Sequence, residues 1–435
     1  MLLSVCSELP ITASLTARRR CYTIEMSTED AASDSDTNSQ SDPSTLVYDH
    51  EPFDTFKTRV LKLASNVFNT ANATISIERM QGGGFNRIIG ISVASETGAS
   101  TGQYILRIPR FEAASLNRDL APLQLLRQQS EIHVPEVIAF DTTTRNALES
   151  PYMIQKRIPG SSLFPDYPTL PHDMKCAIAK ELGKVYFEMH SIKSVTAGRL
   201  TLPPGQESLM VQPFGDISAN ALVQYENGQA AKTTPGLLRL LLTYQKEQAA
   251  AEGSNQSFRV AFFDQFLTIA SEMNALGVLN EDSYCLCHLD LEPRNILAMT
   301  PLPTQPYAIT GILDWDSAIF APPVISCAPP MWIWAWNDDE EEDERLANNI
   351  PSTPESAELK RLFEEAAGPT FRRFAYGAQH RLARKLFKFA LDGLQTNEDM
   401  TDAESLLSEW AQAQQSLNPA NNDAAEPQLN PSMAP

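Results

Sequence analysis

The chain alternates between stretches with regularly spaced apolar residues and stretches that are almost wholly polar. Apolar residues three and four positions apart give a helix one face for the core, so this spacing predicts helices. The predicted helices are Phe53–Phe68, Leu116–Gln129, Met174–Ile192, Pro235–Ala250, Ser257–Leu276, Pro354–Ala367, Thr370–Leu394 and Asp402–Gln415. The helix-breaking pair Gly368-Pro369 separates Pro354–Ala367 from the helix that follows it.

Short stretches of alternating apolar and polar residues in the first part of the chain predict strands. They are Ala73–Met80, Ile88–Val93, Gln103–Pro109 and an apolar segment within Ser150–Gly160. The first two strands are joined by a glycine-rich turn, Gln81–Arg87. Glycines in such a turn let the backbone approach a ligand closely, although most turns of this kind are ordinary hairpins.

Both ends of the chain are polar and are expected to be disordered. Met26–Ser44, within the tail 1–46, is rich in Ser, Thr, Asp and Asn, so it cannot offset the entropy lost on ordering. Residues 417–435 are polar and contain proline. Three basic residues, Arg18–Arg20, lie among serines and threonines as in a mitochondrial transit peptide. A solvated tail, or an upstream extension with Met26 as the start, explains the same residues.

Composition excludes some classes of function. The net charge of −20 would repel phosphates, so we expect no general nucleic-acid binding. No uninterrupted apolar run approaches the length of a membrane span. The cysteines form no paired C-x-x-C set, so a zinc site is not expected and the thiols indicate a reducing compartment. They are Cys6, Cys21, Cys176, Cys285, Cys287 and Cys327. We expect a cytoplasmic protein.

The most informative stretch is Cys287–Ala318, which carries two motifs. In the first, Asp290 follows His288 in an H-x-D pattern and Asn295 comes five residues after that aspartate. In the second, an apolar strand ends at Asp314. Phosphoryl transfer needs a carboxylate that accepts the proton of a hydroxyl nucleophile, and it needs hard oxygen ligands that hold Mg²⁺ against the phosphates. Asp290 suits the first role and the pair Asn295 and Asp314 the second. The alternative is that these polar residues only cap loops.

These motifs resemble those of the aminoglycoside phosphotransferase and choline kinase-like family, relatives of the protein kinases. The resemblance spans about residues 53–400, and Asp314-Trp315 is closer to this family than to the D-F-G motif of protein kinases. It implies an α+β, two-lobed protein-kinase-like fold with a five-stranded antiparallel N-lobe (47–158) and a larger, mainly helical C-lobe (159–416). Val134–Asp141 resembles a strand of that N-lobe. It also implies ATP and Mg²⁺ as cofactors and a small-molecule hydroxyl compound as the acceptor.

The resemblance also implies a nucleotide site. The loop over the phosphates would comprise Gly82, Gly83, Gly84, Phe85 and Asn86. The cation on the third strand, most often lysine, would be Arg107, and its acidic partner on the next helix would be Asp119. An exposed strand arginine and a helix-face acid are the alternatives. The adenine would bond the Lys156 carbonyl and the Ile158 amide, with Gln155 lining the pocket.

Other readings of the chain remain open. A pseudokinase-like module, which binds a nucleotide or a protein without catalysis, is the alternative that the unusual Arg107 and Asp119 suggest. Protein kinase activity is disfavoured because D-F-G and A-P-E segments are absent from the sequence. The tryptophans of Pro329–Trp336 either wall an acceptor pocket or pack helices, and the acidic run Asp338–Glu344 either attracts a cation or is a solvated loop.

Overall fold

The computed structural model describes most of the chain between residues 51 and 417. The described ranges are 51–71, 74–80, 86–94, 101–110, 114–203, 208–212, 214, 233–253, 257–281, 283–300, 307–337 and 343–417. They divide into two compact units. The first holds the described residues up to Glu188 together with Arg199–Gln212 and His288–Ile319. The second holds those of Met189–Gly198, Pro213–Cys287 and Phe320–Pro435. The tails and the lobe boundary at residue 158 stay predictions.

The helices follow the apolar spacing of the sequence closely. They are α1 (Phe53–Phe68), α2 (Ala114–Gln129), α3 (His172–Ser191), α4 (Thr234–Ala251), α5 (Ser257–Ala275), α6 (Pro354–Ala375), α7 (Ala378–Asp392) and α8 (Asn397–Leu417). Short 3₁₀ helices cover Tyr167–Thr169, Pro293–Asn295, Trp315–Ser317, Pro323–Ser326, Met331–Ile333 and Glu344–Asn348. None of the described helices combines the length and the apolar character that crossing a membrane requires.

The described strands are two to nine residues long. They are β1 (Ile75–Arg79), β2 (Asn86–Ala94), β3 (Thr101–Pro109), β4 (Val137–Asp141), β5 (Tyr152–Lys156), β6 (Ser161–Ser162), β7 (Lys193–Ser194), β8 (Gly198–Thr201), β9 (Met210–Gln212), β10 (Tyr284–Cys287), β11 (Ile296–Met299), β12 (Ala308–Ile312) and β13 (Ile319–Ala321). Each strand predicted from the alternating pattern is present, with its ends moved by a few residues.

The first unit is built on the predicted five-stranded sheet. Its order is β1-β2-β3-β5-β4, and every pair of neighbours is antiparallel. One face carries β-branched and leucine side chains that pack against the apolar face of α1, forming a core around Val60, Ile89, Leu106 and Ile154. Because Leu106 points into this core, the alternation of the strand turns its neighbour Arg107 to the opposite face.

A second, three-stranded sheet in the same unit carries the two motifs. Its order is β12-β11-β6, with antiparallel pairs. Strand β11 begins one residue after Asn295, and β12 ends two residues before Asp314. Ile296 pairs directly with Ile312, so the two motifs meet at the same end of the strand pair.

The helices of the second unit pack around aromatic side chains. Phe266 of α5 stacks on Phe389 of α7 at a centroid distance of 5.3 Å, and Trp410 of α8 donates to Glu272 at 2.7 Å. The predicted break at Gly368-Pro369 is confirmed as a kink that divides α6, since Gly368 leaves the helical conformation with a φ of 81° that suits glycine best.

One predicted helix is wrong in its extent. The helix expected over Thr370–Leu394 is divided, because α6 ends at Ala375 and α7 begins only at Ala378. The carbonyl of Tyr376 accepts a hydrogen bond from the Asn348 side chain at 2.9 Å, so a tertiary contact takes up a group that a continuous helix would use internally.

Candidate functional site

Asp290 lies in a tight loop whose hydrogen bonds fix its carboxylate. Leu289 has a φ of 67°, an uncommon backbone conformation for leucine that turns the chain sharply. Arg294 Nη2 donates to Asp290 Oδ1 in a short ion pair. Asn295 Nδ2 donates to Asp290 Oδ2 at 3.0 Å and to the Asp290 carbonyl at 2.9 Å. Both carboxylate oxygens are therefore held, one by a cation and one by an amide.

The residues that hold Asp290 are themselves anchored. Arg294 and Asn295 lie in the 3₁₀ helix Pro293–Asn295, and the Asn295 N–H donates to the Glu292 carbonyl at 2.9 Å. Ser162 of β6 contributes its hydroxyl to the carbonyls of Pro293 (3.3 Å) and Arg294 (3.2 Å). The loop is thus tied to the neighbouring strand through its backbone.

His288 joins the two motifs. Its Nδ1 accepts the Asp290 N–H at 3.2 Å, so in this arrangement Nε2 carries the proton and donates to the Leu313 carbonyl at 2.8 Å. Burial lowers the pKa of His288, against the opposing effect of the bond to Leu313. A neutral ring is what this pattern requires, because a protonated Nδ1 could not accept. A second link is the Leu313 N–H, which donates to the Asn295 carbonyl at 2.8 Å.

Trp315 packs beneath this junction. Its ring is almost fully buried, and it meets the His288 ring edge to face at a centroid distance of 4.5 Å. Its Nε1 donates to the Ile312 carbonyl at 3.1 Å. The tryptophan after Asp314 therefore supports both the end of β12 and the histidine.

Asp314 is presented beside a cation that is shared with a second carboxylate. Its φ of 62° places it in the left-handed region at the start of the 3₁₀ helix Trp315–Ser317, against which α2 packs. Arg107 Nη2 lies 3.5 Å from Asp314 Oδ1 and 3.3 Å from Asp119 Oδ2. Side-chain exposure falls from 30% at Asp314 to 13% at Arg107 and 3% at Asp119. The pairing of Arg107 with Asp119 keeps the cation next to Asp314.

The donor set fits a magnesium ion. Asn295 uses its amide nitrogen to hold Asp290, so the group it would offer a metal is its side-chain oxygen. Asp314 adds a partly exposed carboxylate. An amide oxygen and a carboxylate are the hard ligands that Mg²⁺ prefers.

The residues expected around the adenine lie along β5 and just beyond it. Gln155 is buried, and the Lys156 N–H donates to the Glu136 carbonyl at 2.7 Å. Ile158 packs so closely on β12 that a Cβ at Gly311 would approach its Cδ1 to 2.4 Å, so a larger residue there would displace the Ile158 side chain. Asn86 begins β2, whereas Gly82, Gly83, Gly84 and Phe85 lie outside the described residues.

A comparison of the chain with protein families identifies its relatives. A profile described as the Phosphotransferase enzyme family (APH) matches residues 92–359, more than half of the chain. The chain belongs to this phosphotransferase family. Membership, together with the observed sheet and helices, confirms the predicted α+β fold of the protein-kinase-like type. It also confirms the resemblance that the two motifs suggested.

Individual relatives of this family are distant. Altered inheritance of mitochondria protein 9, mitochondrial, from Meyerozyma guilliermondii is 21% identical over 356 residues, 69% of this chain and 56% of that relative. A choline kinase structure from Cryptosporidium parvum Iowa II (13% identity, TM-score 0.45) covers 84% of this chain and 99% of its own. The ADP-bound aminoglycoside phosphotransferase APH(2'')-Ib (15% identity, TM-score 0.43) covers 81% and 99%.

Within this phosphotransferase family member, sequence reasoning missed two contacts. The H-x-D and Asn pattern predicts no role for Arg294, which binds Asp290, and neither motif predicts the contact of Arg107 with Asp314. The structure also bears on whether the tryptophans of Pro329–Trp336 wall an acceptor pocket or pack helices. Trp332 and Trp334 are buried, and the Trp334 ring packs against the Phe363 ring at a centroid distance of 6.3 Å. That contact favours packing over an acceptor pocket.

Proposed function

We propose that the chain is an ATP- and Mg²⁺-dependent phosphotransferase that moves the γ-phosphoryl group to a hydroxyl of a small molecule. The observation that carries the proposal is the junction of the two motifs. His288 and the bond from Leu313 to Asn295 tie the Asp290 loop to the Asp314 turn inside one compact unit. A base and two metal ligands on one rigid frame are what phosphoryl transfer needs.

The roles follow from the contacts. Asp290 accepts the proton of the acceptor hydroxyl while the oxygen of that hydroxyl attacks the γ-phosphorus. The bond from the γ-phosphorus to the bridging oxygen breaks, and ADP leaves with that oxygen. Asn295 and Asp314 are the residues that would hold Mg²⁺. When bound, the ion neutralises charge on the phosphates. Arg107, kept in place by Asp119, binds phosphate oxygens with its fixed donors.

The nucleotide itself would lie along β5. The Lys156 carbonyl and the Ile158 amide bond the adenine edge, Gln155 lines the pocket, and the loop Gly82–Asn86 covers the phosphates. The buried position of Gln155 and the close packing of Ile158 on Gly311 support this placement.

The test is phosphoryl transfer from radiolabelled ATP to a panel of hydroxyl compounds. Asp290→Asn should lower turnover on any acceptor found by about 10²–10⁴-fold, the range for loss of a general base. The matched control is Asp264→Asn, which removes the charge of an α5 aspartate that pairs with Lys246 of α4, and it should leave turnover unchanged. Unchanged turnover in a folded Asp290→Asn protein would refute the assignment.

The same experiment weighs the alternative of a module that binds without catalysis. Mg²⁺-dependent nucleotide binding with no transfer to any compound of the panel would favour that alternative.

The location of the protein in the cell is a separate question. The sequence leaves two predictions open, a cytoplasmic location and a mitochondrial one. The name of the Meyerozyma guilliermondii relative supports the second, and imaging of the tagged full chain would decide between them.

A further inference from the structure

We infer that Arg294 is a positioning residue that orients the Asp290 carboxylate for proton transfer. The inference rests on the proposed function, and it adds a residue to which the motif itself gives no role. It starts from the ion pair of Arg294 Nη2 with Asp290 Oδ1.

The pair fixes the plane of the carboxylate. Asn295 Nδ2 holds Oδ2 at 3.0 Å, so with Arg294 on Oδ1 the group is gripped at both oxygens and cannot rotate freely about its last bond. A carboxylate offers about four lone-pair positions, and these contacts leave room for a hydroxyl to donate. Arg294 and Asn295 thus set the direction in which the remaining lone pairs point.

The backbone of Arg294 is well placed to act in this way. Ser162 binds the Arg294 carbonyl at 3.2 Å, and Pro293 restricts the preceding backbone. The side chain therefore starts from a fixed point only four residues after its partner. Its exposure of 37% leaves the guanidinium at the surface of the site rather than in the core.

The exposure of the ion pair distinguishes a positioning role of Arg294 from a purely structural one. An ion pair this exposed adds little to stability, because water solvates both partners, so stabilising the fold is not its main effect. Orientation is far more sensitive, since misplacing a reacting group by about 1 Å can lower a rate by roughly 10²-fold. Loss of Arg294 should therefore lower kcat much more than it lowers stability.

The kinetic experiment uses slow hydrolysis of MgATP by the full chain, in which water is the acceptor. Arg294→Ala is expected to lower kcat by roughly 10- to 100-fold. The KM for MgATP should stay within about twofold, because the guanidinium pairs with the base Asp290, whose role is in the chemical step. Added guanidinium at low millimolar concentration should restore part of the loss, whereas it cannot restore a structural defect. Arg361→Ala, which removes another i,i+4 arginine–carboxylate pair on α6, is the matched control and should resemble the wild type.

A second measurement does not depend on turnover. Crystal structures of the wild type and of Arg294→Ala should show one orientation of the Asp290 carboxylate in the first and a second orientation in the variant. Wild-type kcat in Arg294→Ala, or one shared carboxylate orientation in both crystals, would overturn the inference. A wild type that neither binds nor hydrolyses MgATP would instead contradict the proposed function, and the crystal comparison would still decide how Asp290 is held.

Discussion

Two aspartates of the site, Asp290 and Asp314, are each paired with an arginine, but the two pairs are built differently. Arg294 comes four residues after Asp290 and stays 37% exposed. Arg107 comes from a strand 207 residues before Asp314, is 13% exposed, and also contacts Asp119, which is 3% exposed. A local, exposed pair adds little to folding and can serve orientation. A distant, buried one must also satisfy charges within the fold.

The largest loss of stability should come from removing Trp315, which supports the junction between the Asp290 loop and the Asp314 turn. Trp315→Ala deletes a buried ring that packs on His288 and bonds the Ile312 carbonyl, so about 3–5 kcal/mol of stability should be lost. Urea unfolding followed by circular dichroism measures it. The control Trp336→Ala removes a less buried ring and should cost less. Equal losses in the two variants would mean that Trp315 does not support the junction.

The next effect separates the buried pair from the exposed one. Arg107→Ala removes a cation from the buried Asp119 and should lower the free energy of unfolding by about 3 kcal/mol. One nitrogen, Nη2, makes both contacts, so the single ammonium of Arg107→Lys should recover much of the loss. Chemical denaturation of both variants checks this. A loss in Arg107→Ala no larger than that in Arg294→Ala would break the comparison.

The two arginine–aspartate pairs also differ in how well the sequence predicts them. The spacing of apolar residues predicted α1 correctly and each strand nearly so, because burial follows one face of an element. The resemblance to a known family pointed to Arg107 and Asp119, which the structure places in contact. The spacing of apolar residues does not predict the bond from Arg294 to Asp290, because that bond depends on how the short turn from Asp290 into the 3₁₀ helix Pro293–Asn295 brings the two side chains together.

A tertiary contact explains the main failure of the sequence-based prediction. The residues around Ala375–Ala378 have helical spacing, but the helix divides there because the Tyr376 carbonyl is bound by Asn348, 28 residues earlier. Local spacing cannot predict a partner at that separation. Similarly, Arg107 meets Asp314 only because the two sheets of the first unit bring β3 near the end of β12.

A smaller effect sets the pH at which the comparison should be made. In the second unit, burial lowers the pKa of His190 to about 4, with Lys193 adding to the shift. The unfolded chain, with a histidine pKa near 6.5, binds more protons between these values, so stability falls as the pH drops below about 6.5. The contribution of His190 to the loss from pH 7 to pH 5 should be about 2 kcal/mol, and His380, whose pKa burial also lowers to about 4, should add to it.

Thermal unfolding at several pH values tests this prediction. His190→Gln should flatten the dependence, whereas His133→Gln, which changes an exposed histidine, should not. An unaltered slope in His190→Gln would show that other groups cause the acid sensitivity. Either way, variants of the two arginines are best compared above pH 6.5.

The smallest effect is expected for the exposed pair itself. Arg294→Ala should lower the free energy of unfolding by less than about 1 kcal/mol, because water solvates both partners once they are separated. Denaturant unfolding beside Arg361→Ala gives the scale for an ordinary surface pair. A loss of several kcal/mol would mean that Arg294 stabilises the loop, and the contrast with Arg107 would disappear.

The measurement that tests the account most directly is a thermal-shift titration with ATP, with and without Mg²⁺, on the wild type, Asp290→Asn and Asp314→Asn. Ligand at about 100 times its dissociation constant stabilises a protein by roughly 2.7 kcal/mol, which gives a clear shift. We predict a Mg²⁺-dependent shift in the wild type and in Asp290→Asn that is lost in Asp314→Asn. No shift in the wild type at millimolar nucleotide, or an equal shift in all three proteins, would contradict the proposed nucleotide and metal site.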